Sequence, residues 1–169
     1  MKTWPAIVVA ATLGSLPGPV AFAADCEPFV VYIPDEGRQF TYVYFKQDGK
    51  LSAGDKGIGR DTLRDGVGNP IGRVFVIQEI HEVGDDGLAT KWADNQVFVF
   101  EDGAIFGFAE IDGPTLDAHM TNPDALKKQN LKVRTEIIGG TGAYAGALGT
   151  VDLSLEGGNA VAKMNVTCK

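Results

Sequence analysis

Histidine and cysteine are scarce in this sequence, with two of each among 169 residues. His81 and His119 stand far apart, and neither is spaced from Cys26 or Cys168 as zinc ligands would be. Neither a nucleophile elbow nor a helical metal motif occurs. Basic residues are also short, 15 Lys and Arg against 22 Asp and Glu, for a formal net charge of −7. That balance argues against nucleic acid and anionic membrane surfaces as partners. Long apolar runs are missing too. The run AIVVAATL at Ala6–Leu13 falls well short of the ~20 residues of a spanning helix, so no membrane insertion is expected. Internal repeats and long low-complexity tracts are absent.

The short apolar run has another reading. Lys2 precedes it, and AFA at Ala21–Ala23 follows as a small-residue cleavage site. Together they form a secretory signal peptide over residues 1–23, which leaves a single domain at 24–169 and a secreted or periplasmic protein. Asp25 ahead of Cys26 argues against lipid attachment at that cysteine. In an oxidising compartment Cys26 and Cys168 read as a disulfide, with two free thiols as the alternative. The bond would close a loop of about 142 residues, for which the chain-entropy model gives roughly 5 kcal/mol as an upper bound.

What the domain does hold is strand pattern. Phe29–Ile33, Phe40–Gln47, Arg73–Val83, Asn95–Glu101, Ala104–Ile111, Leu131–Ile138, Thr150–Leu155 and Asn159–Val166 are rich in β-branched and aromatic residues, and several alternate with polar ones. Turn signals such as Glu101-Asp102-Gly103 separate them. The exception is Pro114–Asn130, a polar loop with a helical turn expected over Asp124–Lys128. About eight consecutive antiparallel strands have edges to manage, and closure removes the edges. The expected fold is therefore all-β, an eight-stranded antiparallel up-and-down β-barrel. Such a barrel has room for packed side chains or one small ligand.

One strand parity would line the lumen with Val43, Phe45, Phe98, Phe100, Phe106 and Phe108, a lining suited to a hydrophobic small molecule. The alternative is a core filled by these same rings. Glu79 and His81 lie two apart and share a face with Phe75 and Ile77. If that face is inward, a carboxylate and an imidazole meet beside an apolar pocket and can move a proton near neutral pH. The opposite register turns Val74, Val76 and Ile80 inward and leaves Glu79 and His81 in solvent. Glu110 shares the parity of Phe106 and Phe108. Asp55, Asp61 and Asp65 are close in sequence but lack calcium-loop spacing. No metal or cofactor is expected. Arg134 alternates with Lys132 and Glu136 as a solvated face, His119 sits in the polar loop, and Asn165 opens a glycosylation sequon.

The stretch IIGGTGAYAGALGTV, Ile137–Val151, satisfies the letters of a dinucleotide fingerprint at Gly140–Ala145. Its surroundings exclude one. The preceding strand alternates as a half-solvated antiparallel strand, no helix follows, and Asp152 comes too early for the ribose acid. The glycines instead suit a barrel corner from which Tyr144 and Ala145 pack back onto the barrel end, and Tyr144 joins the phenylalanines as a candidate ligand contact. This stretch closely resembles the glycine signature of dirigent proteins and the matching segment of allene oxide cyclases. Gly54-Asp55 and DTLRDGVGNPIG at Asp61–Gly72 resemble an earlier segment of the same superfamily. The resemblance covers roughly Thr41–Val166. It implies an eight-stranded barrel that binds an apolar small molecule and, in some members, steers its cyclisation or coupling. Asp48 is the counterpart of the dirigent aspartate, without its histidine; Asp48-Gly49 also reads as a plain turn. The early-strand glutamate of allene oxide cyclases has no counterpart between Arg38 and Gly54. The expectation is a bacterial, secreted member that binds a small hydrophobic molecule and steers a cofactor-free cyclisation, isomerisation or coupling. The alternatives are a carrier of apolar ligands and a structural or protein-binding barrel. A homo-oligomer is compatible with either.

Overall fold

The computed structural model describes residues 26–34, 36–113, 132–156 and 159–168. Within them run nine strands: β1 (Phe29–Ile33), β2 (Gln39–Val43), β3 (Lys56–Arg64), β4 (Pro70–Val83), β5 (Ala89–Phe100), β6 (Gly103–Asp112), β7 (Lys132–Gly142), β8 (Leu148–Glu156) and β9 (Asn159–Thr167). No helix occurs among the described residues. Consecutive strands from β2 to β9 pair antiparallel. The sheet closes because β1 pairs with β9 along its length and with β3 through Tyr32 and Arg64. β1 and β2 thus share one position beside β3, and nine strands build a closed barrel of eight staves. This is the antiparallel barrel that the alternation in the sequence predicts.

The extra strand is β3, KGIGRDTLR. Its buried positions are Gly57, Gly59 and Leu63, with half-buried Asp61 between them. Glycines and a carboxylate on the inner face erase the hydrophobic alternation by which a strand is recognised. β5 likewise begins at Ala89 rather than at Asn95, and its inward face carries Asp94 and Gln96. The expected leader and the polar loop with its helical turn and His119 lie outside the described residues.

The lumen holds one large apolar cluster that reaches the disulfide end. Val31, Leu63, Val74, Phe98, Ile105, Val151 and Met164 are all buried there in one cluster. Truncating Phe98 to alanine in such a core costs about 3–5 kcal/mol. A smaller cluster of Ile80, Ala89 and Trp92 plugs the other end. The Trp92 indole N–H donates to the Gly113 carbonyl at 3.2 Å, so burial leaves that donor satisfied.

Cys26 and Cys168 form the expected disulfide, with Cα atoms 5.2 Å apart, and tie the chain before β1 to the end of β9. The glycine stretch turns the corner beside it. Gly142 has φ +62°, and a Cβ on Gly140 would collide with the carbonyl oxygens of Tyr144 and Ala104. Side chains are excluded from both positions, by the backbone clash at Gly140 and by positive φ together with a clash against the Asp102 carbonyl at Gly142. The turn amides are spent internally: Ala143 donates to Asp102 at 2.9 Å, and Ala147 to Tyr144 at 3.0 Å.

Candidate functional site

Between the two apolar clusters lies a polar belt. On the β4–β5 ladder Gln78 stands opposite Asp94, Val76 opposite Gln96, and Val74 opposite Phe98. Cross-strand partners share a face, so burial of Val74 and Phe98 carries the glutamines and the aspartate inward with them. Gln78, Asp94, Gln96 and Thr135 are exposed by 1%, 1%, 5% and 0%. Small residues flank the belt. Gly57 and Gly59 face Gln78 and Val76 from β3, and Gly107 and Ala109 face Gln96 and Asp94 from β6. A Cβ on Gly107 would meet Thr135 Cγ2 at 2.7 Å, so this glycine is what lets Thr135 approach the belt.

The space so made is a cavity of about 60 Å³. Gln78, Asp94 and Gln96, with Arg38 and Asp61, supply its polar wall; Ile33, Val74, Val76, Phe98, Leu153 and Ala160 supply its apolar one. Phe40 closes the side beside β2. Its ring lies against Gly57 and Gly59, where a Cβ on Gly59 would come within 2.8 Å of Phe40 Cδ2. A dry cavity that accepts benzene measures roughly 150 Å³. The cavity is therefore smaller than a ring-sized guest, and Phe40 is the aromatic ring of its wall carried by β2. Among the described residues β2 pairs with β3 alone, so its other edge does not hold it.

The belt is rich in oxygen atoms without a hydrogen-bond partner among the described residues. Gln96 Nε2 donates to Asp94 Oδ2 at 2.6 Å. Asp94 Oδ1, Gln78 Oε1, Gln96 Oε1 and Thr135 Oγ1 have no hydrogen-bond partner among the described residues. Leaving a buried polar atom unpaired costs about 1–3 kcal/mol, so four together make this belt the candidate site. Burial pushes the Asp94 carboxyl from its ordinary value near 3.8 up to about 6, against the opposing pull of the Gln96 amide. At the cavity edge Arg38 directs Nε to Asp61 Oδ2 at 3.3 Å.

The residues singled out in the sequence are scattered over other places. The pairing of Ile105, Gly107 and Ala109 with Phe98, Gln96 and Asp94 fixes the parity of β6. Phe106 and Phe108 therefore turn outward, not into the lumen, and Phe108 is exposed. Val43 and Phe45 are exposed too, Phe45 by 79%, which corrects their expected place in the lining. Phe98 faces the cavity. Phe100 packs near the disulfide end, its ring 5.6 Å from Phe29 and 5.3 Å from Tyr144. Burial, followed by the Asp102 carboxylate, raises the Tyr144 hydroxyl above its ordinary value.

β4 adopts the register that buries Val74 and Ile80, so Glu79 and His81 sit on the outer face. Glu79 pairs there with Lys56 at 3.4 Å. Asp48 is exposed and caps its own turn by accepting from the Lys50 amide at 2.9 Å. Glu110 is exposed. Asp55, Asp61 and Asp65 serve separate networks rather than one ion. Asp55 is buried and accepts from the Phe45 and Ser52 amides, while Asp65 accepts from the Val67 and Asn69 amides. Thus none of the acids singled out for catalysis reaches the cavity, and Asp94 was missed. Its signal was present: Trp92, Asp94, Gln96, Phe98 and Phe100 share one parity.

No protein-family model matches the chain. No curated protein matches it. Solved structures do resemble it. A pyocyanin demethylase aligns with TM-score 0.60 and 18% identity, over 83% of this chain and 99% of that one. AbnU, an exo-specific intermolecular Diels-Alderase, aligns with TM-score 0.52 and 18% identity, over 80% and 92%. The Diels-Alderase AbmU from Streptomyces koyangensis aligns with TM-score 0.53 and 16% identity, over 84% of this chain and 63% of that one. At these identities the likeness is one of fold.

Proposed function

We propose that this protein is an exported barrel of dirigent or allene oxide cyclase type that binds a small, largely apolar molecule in its lumen and steers a cofactor-free isomerisation or cyclisation. The observation that carries this reading is Asp94. It is a buried carboxyl whose Oδ1 lacks a partner among the described residues, set in the wall of an apolar cavity with its pKa moved toward neutrality. A carboxyl of that kind is suited to proton transfer near pH 6–7. Asp94 takes a proton from one atom of the substrate and returns it to another, so the substrate is rearranged and the protein regained without an oxidant or cofactor. The apolar wall holds the chain of the substrate in one folded conformation, the other half of such catalysis. The glycine-corner resemblance supports the family placement, and fold neighbours that include two Diels-Alderases support the reaction class. The leader-like N-terminus and the disulfide support export.

The small volume of the cavity favours a second reading, a barrel filled by its own side chains with a structural role. Native mass spectrometry of protein taken from its own host separates the two, alongside thermal shifts across oxylipins, terpenoids and phenolics. Retention of a small molecule, or a shift that Phe98→Trp abolishes, supports the lumen site. No retained mass and no shift with any compound would overturn it.

A further inference from the structure

Resting on the lumen-site reading, the geometry points to the chemical class of the guest. We infer that the lumen selects a compact apolar molecule carrying a hydrogen-bond donor, a hydroxyl or N–H, which enters donor-first and is received by Asp94 Oδ1, Gln96 Oε1 and Gln78 Oε1. Three observations converge. All three oxygens are unpartnered among the described residues, and the side chains that carry them are at least nine-tenths buried and line one cavity. With Asp94 ionised, the Gln96 amide orientation is fixed by chemistry, because Nε2 is the only end of that side chain that can donate to Asp94 Oδ2. Its oxygen is therefore left as an acceptor. Finally, Arg38, a donor that also lines the cavity, directs Nε to Asp61.

Desolvated acceptors reject a guest without a donor more strongly than an apolar wall rejects a change of shape. The polar wall thus sets which end of the molecule goes in, and the apolar wall takes the remainder. The ring of the guest displaces Phe40 from its seat on Gly57 and Gly59. Capping the hydroxyl as a methyl ether keeps the ring and removes the donor while adding one methylene, a difference in size that the glutamine variants leave unchanged.

Phenol and anisole are the probes. Their binding is measured by NMR on the disulfide-bonded protein, following the side-chain amides of Gln78 and Gln96. Wild type, Phe40→Leu and Phe40→Ala are run in parallel, so that a folding failure of the largest truncation decides nothing by itself. The expected result is phenol binding about tenfold or more tightly than anisole, the worth of one hydrogen bond to a buried charged acceptor. The Gln78 and Gln96 amides should move, and the preference should fall to about threefold or less in Gln78→Leu/Gln96→Leu. Equal binding of the two probes at those amides would overturn the donor inference and leave the lumen site standing. Binding of neither, or shifts confined to the outer residues around Phe75 and Phe108, would overturn both.

Discussion

Two polar clusters face opposite sides of the same sheet. On the outer face of β7, β8 and β9, Arg134, Asp152 and Lys163 form one cross-strand row. Arg134 Nε meets Asp152 Oδ1 at 2.7 Å, and Asn165 Nδ2 donates to Asp152 Oδ2 at 2.9 Å. Each oxygen of that carboxylate has a donor, and the Arg134 hydrogen bond holds its pKa below the ordinary value. On the inner face of β4 and β5, Asp94 has one donor, one oxygen unpartnered among the described residues and a pKa near 6. The difference is solvent and supply. Outside, water and cations satisfy a carboxylate at little cost, and such pairs contribute little net stability. Inside, several oxygens have no partner among the described residues, at a cost in stability. The inner cluster therefore reads as a site, and the outer one as surface.

The largest way to break this comparison is to neutralise each acid in turn. For Asp94 the folded pKa lies above the unfolded one, so between pH 3.8 and about 6 the native state holds more protons than the unfolded state. Stability then falls as pH rises through that window, by up to about 3 kcal/mol once pH exceeds 6. Asp94→Asn should recover much of that amount at pH 8 and nothing at pH 3.5, read from urea midpoints at both values. Asp152→Asn should not raise stability at pH 8 and should lower it slightly, because its folded pKa lies below the unfolded one.

A smaller effect sharpens the inner half. Gln96→Leu removes the only hydrogen bond that lowers the Asp94 pKa, so the carboxyl should titrate higher still, as followed by its ¹³C shift. Phe40→Leu should enlarge the cavity and strengthen phenol binding severalfold, as measured by the same NMR titration. The smallest expected effects are controls. Glu79→Gln and His81→Ala lie on the outer face, so neither should change phenol affinity beyond twofold.

Strand pattern made the barrel legible, and the two cysteines made its clamp legible. Strands such as Leu131–Ile138 alternate because one face is wet and the other packed, and period 2 records that directly. The same logic hid the site. β3 turns Gly57, Gly59 and Asp61 inward, and β5 turns Asp94 and Gln96 inward. A polar and glycine-rich inner wall breaks the alternation on which strand recognition depends, so the missing strand and the missed acid have one cause. Parity was the second obstacle. Phe106 and Phe108 look like lining until the register sets Gly107 opposite Gln96, a pairing that sequence spacing alone does not determine. The shared parity of Trp92, Asp94, Gln96 and Phe98 was legible and marks polar residues among core aromatics as the signal to follow.

The central claim is that Asp94 is a desolvated lumen acid while Asp152 is an ordinary surface partner. Titration of the aspartate carboxyl ¹³C shifts in the intact protein tests it directly. The account predicts a midpoint near 6 for Asp94 and one below 3.8 for Asp152. An Asp94 midpoint at or below 3.8 would contradict it, because the carboxyl would then be solvated or fully paired rather than waiting in the barrel for a donor.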